Sequence, residues 1–319
     1  MIASQDSHRE RGEIEDSRTV GNPDGSGFSE ESEEFHIAPL TVSDEEVPLR
    51  YAQGAAFAEL KLPQRVKTRS PFHGRKRRPQ IKGYSRASRL RLCRTLASIP
   101  RDSKALFITL TYPKGCNIDT VAAKRHDLQA FKKRFETQYG KHAAVWRIEF
   151  CDRIPHFHLL VFFPNHLVVS RALLAEIREW VARTWWEVCG RISEEHLRAG
   201  TCVERPRSLV RTMKYISKAE PSQISSSPGE DPPQHAGRRW AVWRQELLPI
   251  VWVETRVSLK DAFQLRRILR KLLGLKNRPG VVVFRVFVRD DHIKRLLELL
   301  GYAAPGREDL AYGPEHQCA

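Results

Sequence analysis

Two histidines one residue apart, His156 and His158, stand in the stretch PHFHLL, flanked by apolar neighbours. On a β-strand, positions i and i+2 share a face, so both imidazoles would project side by side. With a carboxylate such as Glu149 they make a three-ligand site with open coordination positions. The ligand types alone admit Zn, Mn, Mg or Ni. An open position lets a substrate oxygen bind and be polarised. The competing reading is an ordinary strand whose histidines are satisfied by neighbouring carbonyls, because one short motif is weak by itself. Further on, Arg211, Tyr215 and Lys218 recur at i, i+4 and i+7 and would share one helical face. A phenol with a pKa near ~10 is a poor nucleophile until a cation or base assists it. Lys218 and a metal-polarised phosphate could give that help; alone, Tyr215 reads equally as a packing aromatic.

The elements that must position these residues follow from periodicity. ALFITLTY (Ala105–Tyr112), AAVWRIEF (Ala143–Phe150) and PHFHLLVFF (Pro155–Phe163) alternate and are rich in β-formers, which predicts three strands. Asp119 or Thr120 can cap a helix with Leu128, Phe131 and Phe135 on one side, and Ser170 a second with Leu174, Ile177, Val181 and Trp185. TCVER (Thr201–Arg205) is a short strand, and SLVRTMKYISKA (Ser208–Ala219) a helix docked by Leu209, Met213 and Ile216. The order β-α-β-β-α-β is the split βαβ arrangement, so the expected fold class is α+β. That means a ferredoxin-like or RRM-like antiparallel sheet with helices mainly on one face and the tyrosine helix near the polar face. Alternation sends Leu106, Ile108, Leu110, Trp146, Ile148, Phe157 and Leu159 to one side. Thr109, Thr111, Arg147, Glu149, His156 and His158 then gather on the other. Beyond a polar loop at Pro221–Gln234 come a Trp-rich segment (Trp240 to Trp252), strands at Val251–Leu259 and Val281–Val288, a basic helix near Lys260–Leu273 and a final helix at Asp291–Leu300.

Charge divides the chain unevenly. Residues 1–49 hold 13 Asp and Glu against 3 Arg, a net of −10, which leaves +26 on the rest when the whole chain carries +16. A region that basic suits a polyanion, since each phosphate it neutralises releases counterions. The expected layout is an acidic disordered tail (1–50), a basic extension (51–104) containing GRKRR, a catalytic domain (105–256) and a C-terminal α/β extension (257–319). Six cysteines without CxxC spacing argue against a zinc ribbon or a disulfide framework and for reduced thiols. No run approaches the ~18 apolar residues of a membrane span, and the charged N-terminus lacks an apolar signal core. A soluble, cytoplasmic protein with no membrane partner is expected.

Three segments in order resemble the HUH endonuclease superfamily, and within it the rolling-circle replication initiators of the filamentous-phage gene II-like branch. They are FITLTY (Phe107–Tyr112), WRIEFCDRIPHFHLLVFF (Trp146–Phe163) and MKYISKAE (Met213–Glu220), with GRRWAVW (Gly237–Trp243) similar to a segment beyond the tyrosine. The resemblance implies that His156, His158 and Glu149 hold a divalent metal, Mg2+ or Mn2+, that Tyr215 is the nucleophile and that Lys218 contacts phosphate. Arg211, Lys214, Arg147, Thr109 and Thr111 are the candidate DNA contacts. It implies a single-strand nick leaving a 3′-hydroxyl and a 5′-phosphotyrosine, made on a single-stranded origin or hairpin in a bacterial host with the host's replication helicase and polymerase as partners. Ala219, Glu220 and Pro221 follow where several relatives have a second tyrosine or lysine, which favours a single-tyrosine enzyme. Transposition or mobilisation by the same chemistry, a non-catalytic basic DNA-binding protein, and a zinc hydrolase are the alternatives.

Overall fold

The computed structural model describes residues 45–63, 84–116, 118–151, 154–164, 169–219, 238–276 and 281–303. Most of the acidic tail, the GRKRR run, the polar loop and the first residue of GRRWAVW lie outside the described residues. In chain order the strands are β1 (Glu46–Ala52), β2 (Ala58–Lys61), β3 (Leu106–Thr111), β4 (Ala143–Cys151), β5 (Ile154–Phe162), β6 (Thr201–Glu204), β7 (Trp240–Trp243), β8 (Trp252–Ser258) and β9 (Val283–Val286). The helices are α1 (Arg86–Ala97), the single turn α2 (Thr120–Ala122), α3 (Leu128–Tyr139), α4 (Arg171–Val188), α5 (Glu194–Ala199), α6 (Leu209–Ile216), α7 (Leu259–Leu272) and α8 (Asp290–Leu299). A π-helical turn at Ala123–Asp127 joins α2 to α3.

Strands β3 to β6 form the expected antiparallel sheet in the order β6-β3-β5-β4, and β7 adds a fifth strand beside β4. The α+β class read from the periodicity is the class observed. The apolar side of the alternation, from Leu106 and Ile108 to Trp146, Phe157 and Leu159, packs under α3 and α4 with Phe131, Phe135, Ile177 and Trp185. The opposite side is not wholly polar. At one end of the sheet Val145, Leu160 and Phe162 are covered by α6 and by α1 through Leu92 and Leu96.

The second sheet, β8-β1-β2-β9, differs from the expected layout. Residues 46–50, expected as the end of the acidic tail, are part of β1, because Val47, Leu49 and Tyr51 alternate inward and are buried. Strand β8, expected to straddle the catalytic domain and the C-terminal extension, pairs with β1, with Leu49 opposite Thr255. Helices α7 and α8 cover this sheet through Leu265, Leu269, Ile293 and Leu297. No helix among the described residues is long and apolar enough to cross a membrane.

Candidate active site

Strand register builds the site in two rows. Thr111 lies opposite His156, which lies opposite Glu149; Thr109 lies opposite His158, which lies opposite Arg147. The threonine hydroxyls reach the histidines at Nδ1, Thr109 to His158 at 3.1 Å and Thr111 to His156 at 3.0 Å. Where Nδ1–H donates to the hydroxyl, the lone pair is left on Nε2. His158, whose Nε2 lies 3.4 Å from a Glu149 oxygen, instead carries its proton on Nε2 and accepts from the Thr109 hydroxyl at Nδ1. The end of β3 is itself pinned. The Thr111 carbonyl accepts from Trp185 Nε1 and His196 Nε2, both at 2.8 Å, which fixes His196 with its proton on Nε2. Gly200 makes this approach possible, since a Cβ there would lie 2.3 Å from the His196 ring.

The tyrosine helix is short, and eight residues are marginal as an isolated helix. Its stability comes from docking. Leu209, Met213 and Ile216 are buried, each worth about 1.5–3 kcal/mol when fully removed from water. Ser208 caps the N-terminus, accepting from the Arg211 amide. At the other end Arg147 Nη1 donates to the carbonyls of Ile216 at 2.5 Å and Lys218 at 2.7 Å, and Arg89 Nε donates to that of Ser217 at 2.8 Å. Cations at a helix C-terminus also suit its dipole. Tyr215 is thereby held with its ring edge-on to His158, centroids 5.3 Å apart, and edge-on to Phe107 at 6.1 Å. Phe107 in turn stacks on His158 at 5.6 Å. Tyr215 keeps 47% of its surface exposed, so a strand of nucleic acid can reach its hydroxyl.

Two expectations need correction. The helix stops at Ile216 rather than Ala219, because Ser217 closes it and the arginines take the final carbonyls; Lys218 is placed by this turn, not by helical spacing. Arg147, expected among the DNA contacts, is 1% exposed. Its guanidinium binds the two carbonyls and Glu149 and lies 4.6 Å over the Tyr84 ring, so it is a positioning residue. Arg211, Lys214 and Lys218 are exposed, and Thr109 and Thr111 are half-buried against the histidines. Sequence reasoning missed Phe107, Arg89 and Tyr84. The i, i+4 pair Leu92 and Leu96 within the basic run could have revealed α1, and with it Arg89.

Glu149 divides its oxygens, Oε1 to Arg147 at 3.0 Å and Oε2 to His158 Nε2 at 3.4 Å. Burial would push its carboxyl up, but the His158 contact and the Arg147 charge outweigh it and hold the group below the ordinary glutamate range. Burial, reinforced by the Glu149 charge, pushes the Tyr215 phenol above its ordinary value, and Arg147 only partly offsets this. The phenol therefore rests protonated at neutral pH. The donor chemistry fits a divalent cation: two imidazoles oriented through Nδ1 and one ionised carboxylate. Among the described residues, no group of three or more His, Cys, Asp or Glu is already drawn into a metal-holding cluster. His158 Nε2 and Glu149 Oε2 instead face each other at 3.4 Å.

A helix whose tyrosine is seated on a two-histidine strand matches the ordered segments of the sequence. Residues 105–220 match the family of replication-associated proteins described by ORF2 and the gene II protein. The matched span opens just before β3 and closes just after Lys218, so it takes in both threonines, both histidines, Glu149 and Tyr215. For this replication-associated segment the match agrees with the resemblance to gene II-like phage replication proteins, and the family description ties it to replication. Comparison with curated proteins and with solved structures returned no match to the chain.

Proposed function

We propose that the chain is a site-specific single-strand DNA endonuclease and ligase that initiates rolling-circle replication of a plasmid or phage. The observation that carries this reading is Tyr215, half exposed on a fixed helix end, with its ring against His158 on the sheet face that also holds His156 and Glu149. The Tyr215 oxygen attacks the scissile phosphorus, forming an O–P bond as the bond to the 3′-oxygen breaks. The tyrosine proton leaves to solvent or a basic group, and the departing oxygen takes up a proton to become the free 3′-hydroxyl. The 5′-phosphotyrosine conserves the phosphodiester, so reversal by an incoming 3′-hydroxyl reseals the strand without ATP.

His156, His158 and Glu149 would hold a divalent ion, Mg2+ or Mn2+, which supplies positive charge against the charge that develops on the phosphate. Phe107 and the threonines fix the histidine rings, and Arg147 and Arg89 fix the tyrosine. Exposed Lys218 and Lys214 lie at the end of α6, where they can meet the flanking phosphates. A single-stranded origin or hairpin is the substrate, and the host replication helicase and polymerase would extend the 3′-hydroxyl.

The test is incubation with single-stranded origin DNA and Mn2+, followed by mass measurement of the protein. A covalent adduct that Tyr215→Phe lacks, with DNA binding retained, supports the reading. Adduct formation by the phenylalanine variant at full yield would overturn the tyrosine assignment.

A further inference from the structure

Two recesses flank the turn between β6 and α6, at the opposite end of the tyrosine helix from Tyr215. The first, about 600 Å³, has apolar walls that include Phe162, Leu209 and Leu247, and cations at Arg101, Lys104 and Arg207. The second, about 550 Å³, runs along the flank of α6 past Arg178, Ser208 and Arg211. Arg205, Pro206 and Arg207 line both, so the recesses adjoin. Together they present six basic side chains against two acidic ones, Asp102 and Glu204. Among the described residues no carboxylate pairs with any of the six. Arg178 and Arg205 are instead aimed by backbone, donating to the carbonyls of Val203 and Val169 at 2.8 Å each.

The recesses connect to the nucleophile by geometry. Phe162 shares the face of β5 that carries His156 and His158, and Arg211 lies one helical turn before Tyr215. From Leu209 to Tyr215 the helix rises about 9 Å at ~1.5 Å per residue. That length corresponds to roughly two to three nucleotides at the ~3.4 Å spacing of a stacked strand. An apolar-walled cavity of ligand size, rimmed by cations whose charges are not met by carboxylates, suits a nucleobase with phosphates on either side.

We propose that the first recess accepts one unstacked base of the single strand, two to three nucleotides from the bond cleaved, while the six cations carry the intervening backbone. This rests on the reading of the site as a DNA nickase and assigns part of its sequence selectivity to this cavity. Ser103, half-buried in the cavity wall and given no part in the chemistry, offers a way to fill it.

The test measures binding of the Tyr215→Phe chain, in EDTA, to a mixed-sequence single strand and to the same backbone built from abasic sites. It therefore reads out independently of cleavage: loss of the adduct with this binding intact would strike the nickase reading alone. Ser103→Trp should cut the preference for the base-bearing strand about tenfold and leave affinity for the abasic strand unchanged. Arg207→Ala should weaken both strands alike and reduce the salt dependence by about one phosphate. An unchanged preference in Ser103→Trp with an unchanged melting temperature, or no preference in the parent chain, overturns the base pocket. An unchanged salt slope in Arg207→Ala overturns the backbone track.

Discussion

The Arg147 guanidinium donates to the Ile216 carbonyl at 2.5 Å, so the strand that carries Glu149 also terminates the helix that carries Tyr215. Removing it takes this donor from two carbonyls and the cation from beside Glu149 Oε1. Arg147→Met is expected to cost about 3 kcal/mol in urea unfolding. Adduct formation should fall more than DNA affinity, since the tyrosine loses its seat while the exposed cations remain. Arg89→Gln, which removes one hydrogen bond, should cost about 1 kcal/mol.

The Thr111 and Thr109 hydroxyls hold the histidine rings through Nδ1. Thr111→Val keeps the strand but deletes the hydroxyl at His156 Nδ1. Partners of this kind contribute about 10–100-fold to metal affinity. Calorimetric titration with Mn2+ is expected to show a loss in that range, with little change in single-strand affinity.

Chelation separates the proposed nickase from a purely DNA-binding protein. With EDTA, adduct formation should drop by at least about a hundredfold, because several kcal/mol of charge stabilisation are withdrawn. Filter binding of single-stranded DNA should remain, carried by Arg211, Lys214 and the other exposed cations. Cleavage that survives chelation would discard the role given to His156, His158 and Glu149.

Acid stability should report on His142, far from the chemistry. Its ring is fully buried beside Phe135 and Phe163, and burial holds its imidazole below the ordinary value. A depressed folded value means the unfolded chain takes the proton first. Stability is thus fully present above the unfolded value of ~6.5 and declines as pH falls below it, by at most ~1.4 kcal/mol per pH unit. His142→Phe should flatten thermal melts across that window. Glu136, held low despite its burial by the Arg244 hydrogen bond, acts only at more acidic pH.

How much of this was legible in the sequence depended on the range of the forces involved. Strand alternation is local, and it placed Thr109, Thr111, Glu149, His156 and His158 on one face before any pairing was known. The register then turned that list into contacts. The role of Arg147 was not legible, because a charged residue on a polar face reads as exposed unless the element that covers it is known. Helix α1 was hidden for a similar reason: Arg86, Arg89, Arg91 and Arg94 mask the seam of Leu92 and Leu96. The second sheet was hidden more deeply, since nothing near β1 announces that its partner is β8.

That pairing has a consequence for synthesis. Glu46 lies opposite Ser258, and Ala58 opposite Val286, so among the described residues the earliest strands wait for the latest ones. The five-stranded sheet that carries the histidines is emitted between them, while β1 and β2 hold only each other. A ribosome that stalls after Lys218 would release a chain with a complete tyrosine segment and a bare β1 edge, a template for intermolecular strand pairing. Until β8 and β9 have emerged, β1 and β2 keep the outer edges that those strands later cover.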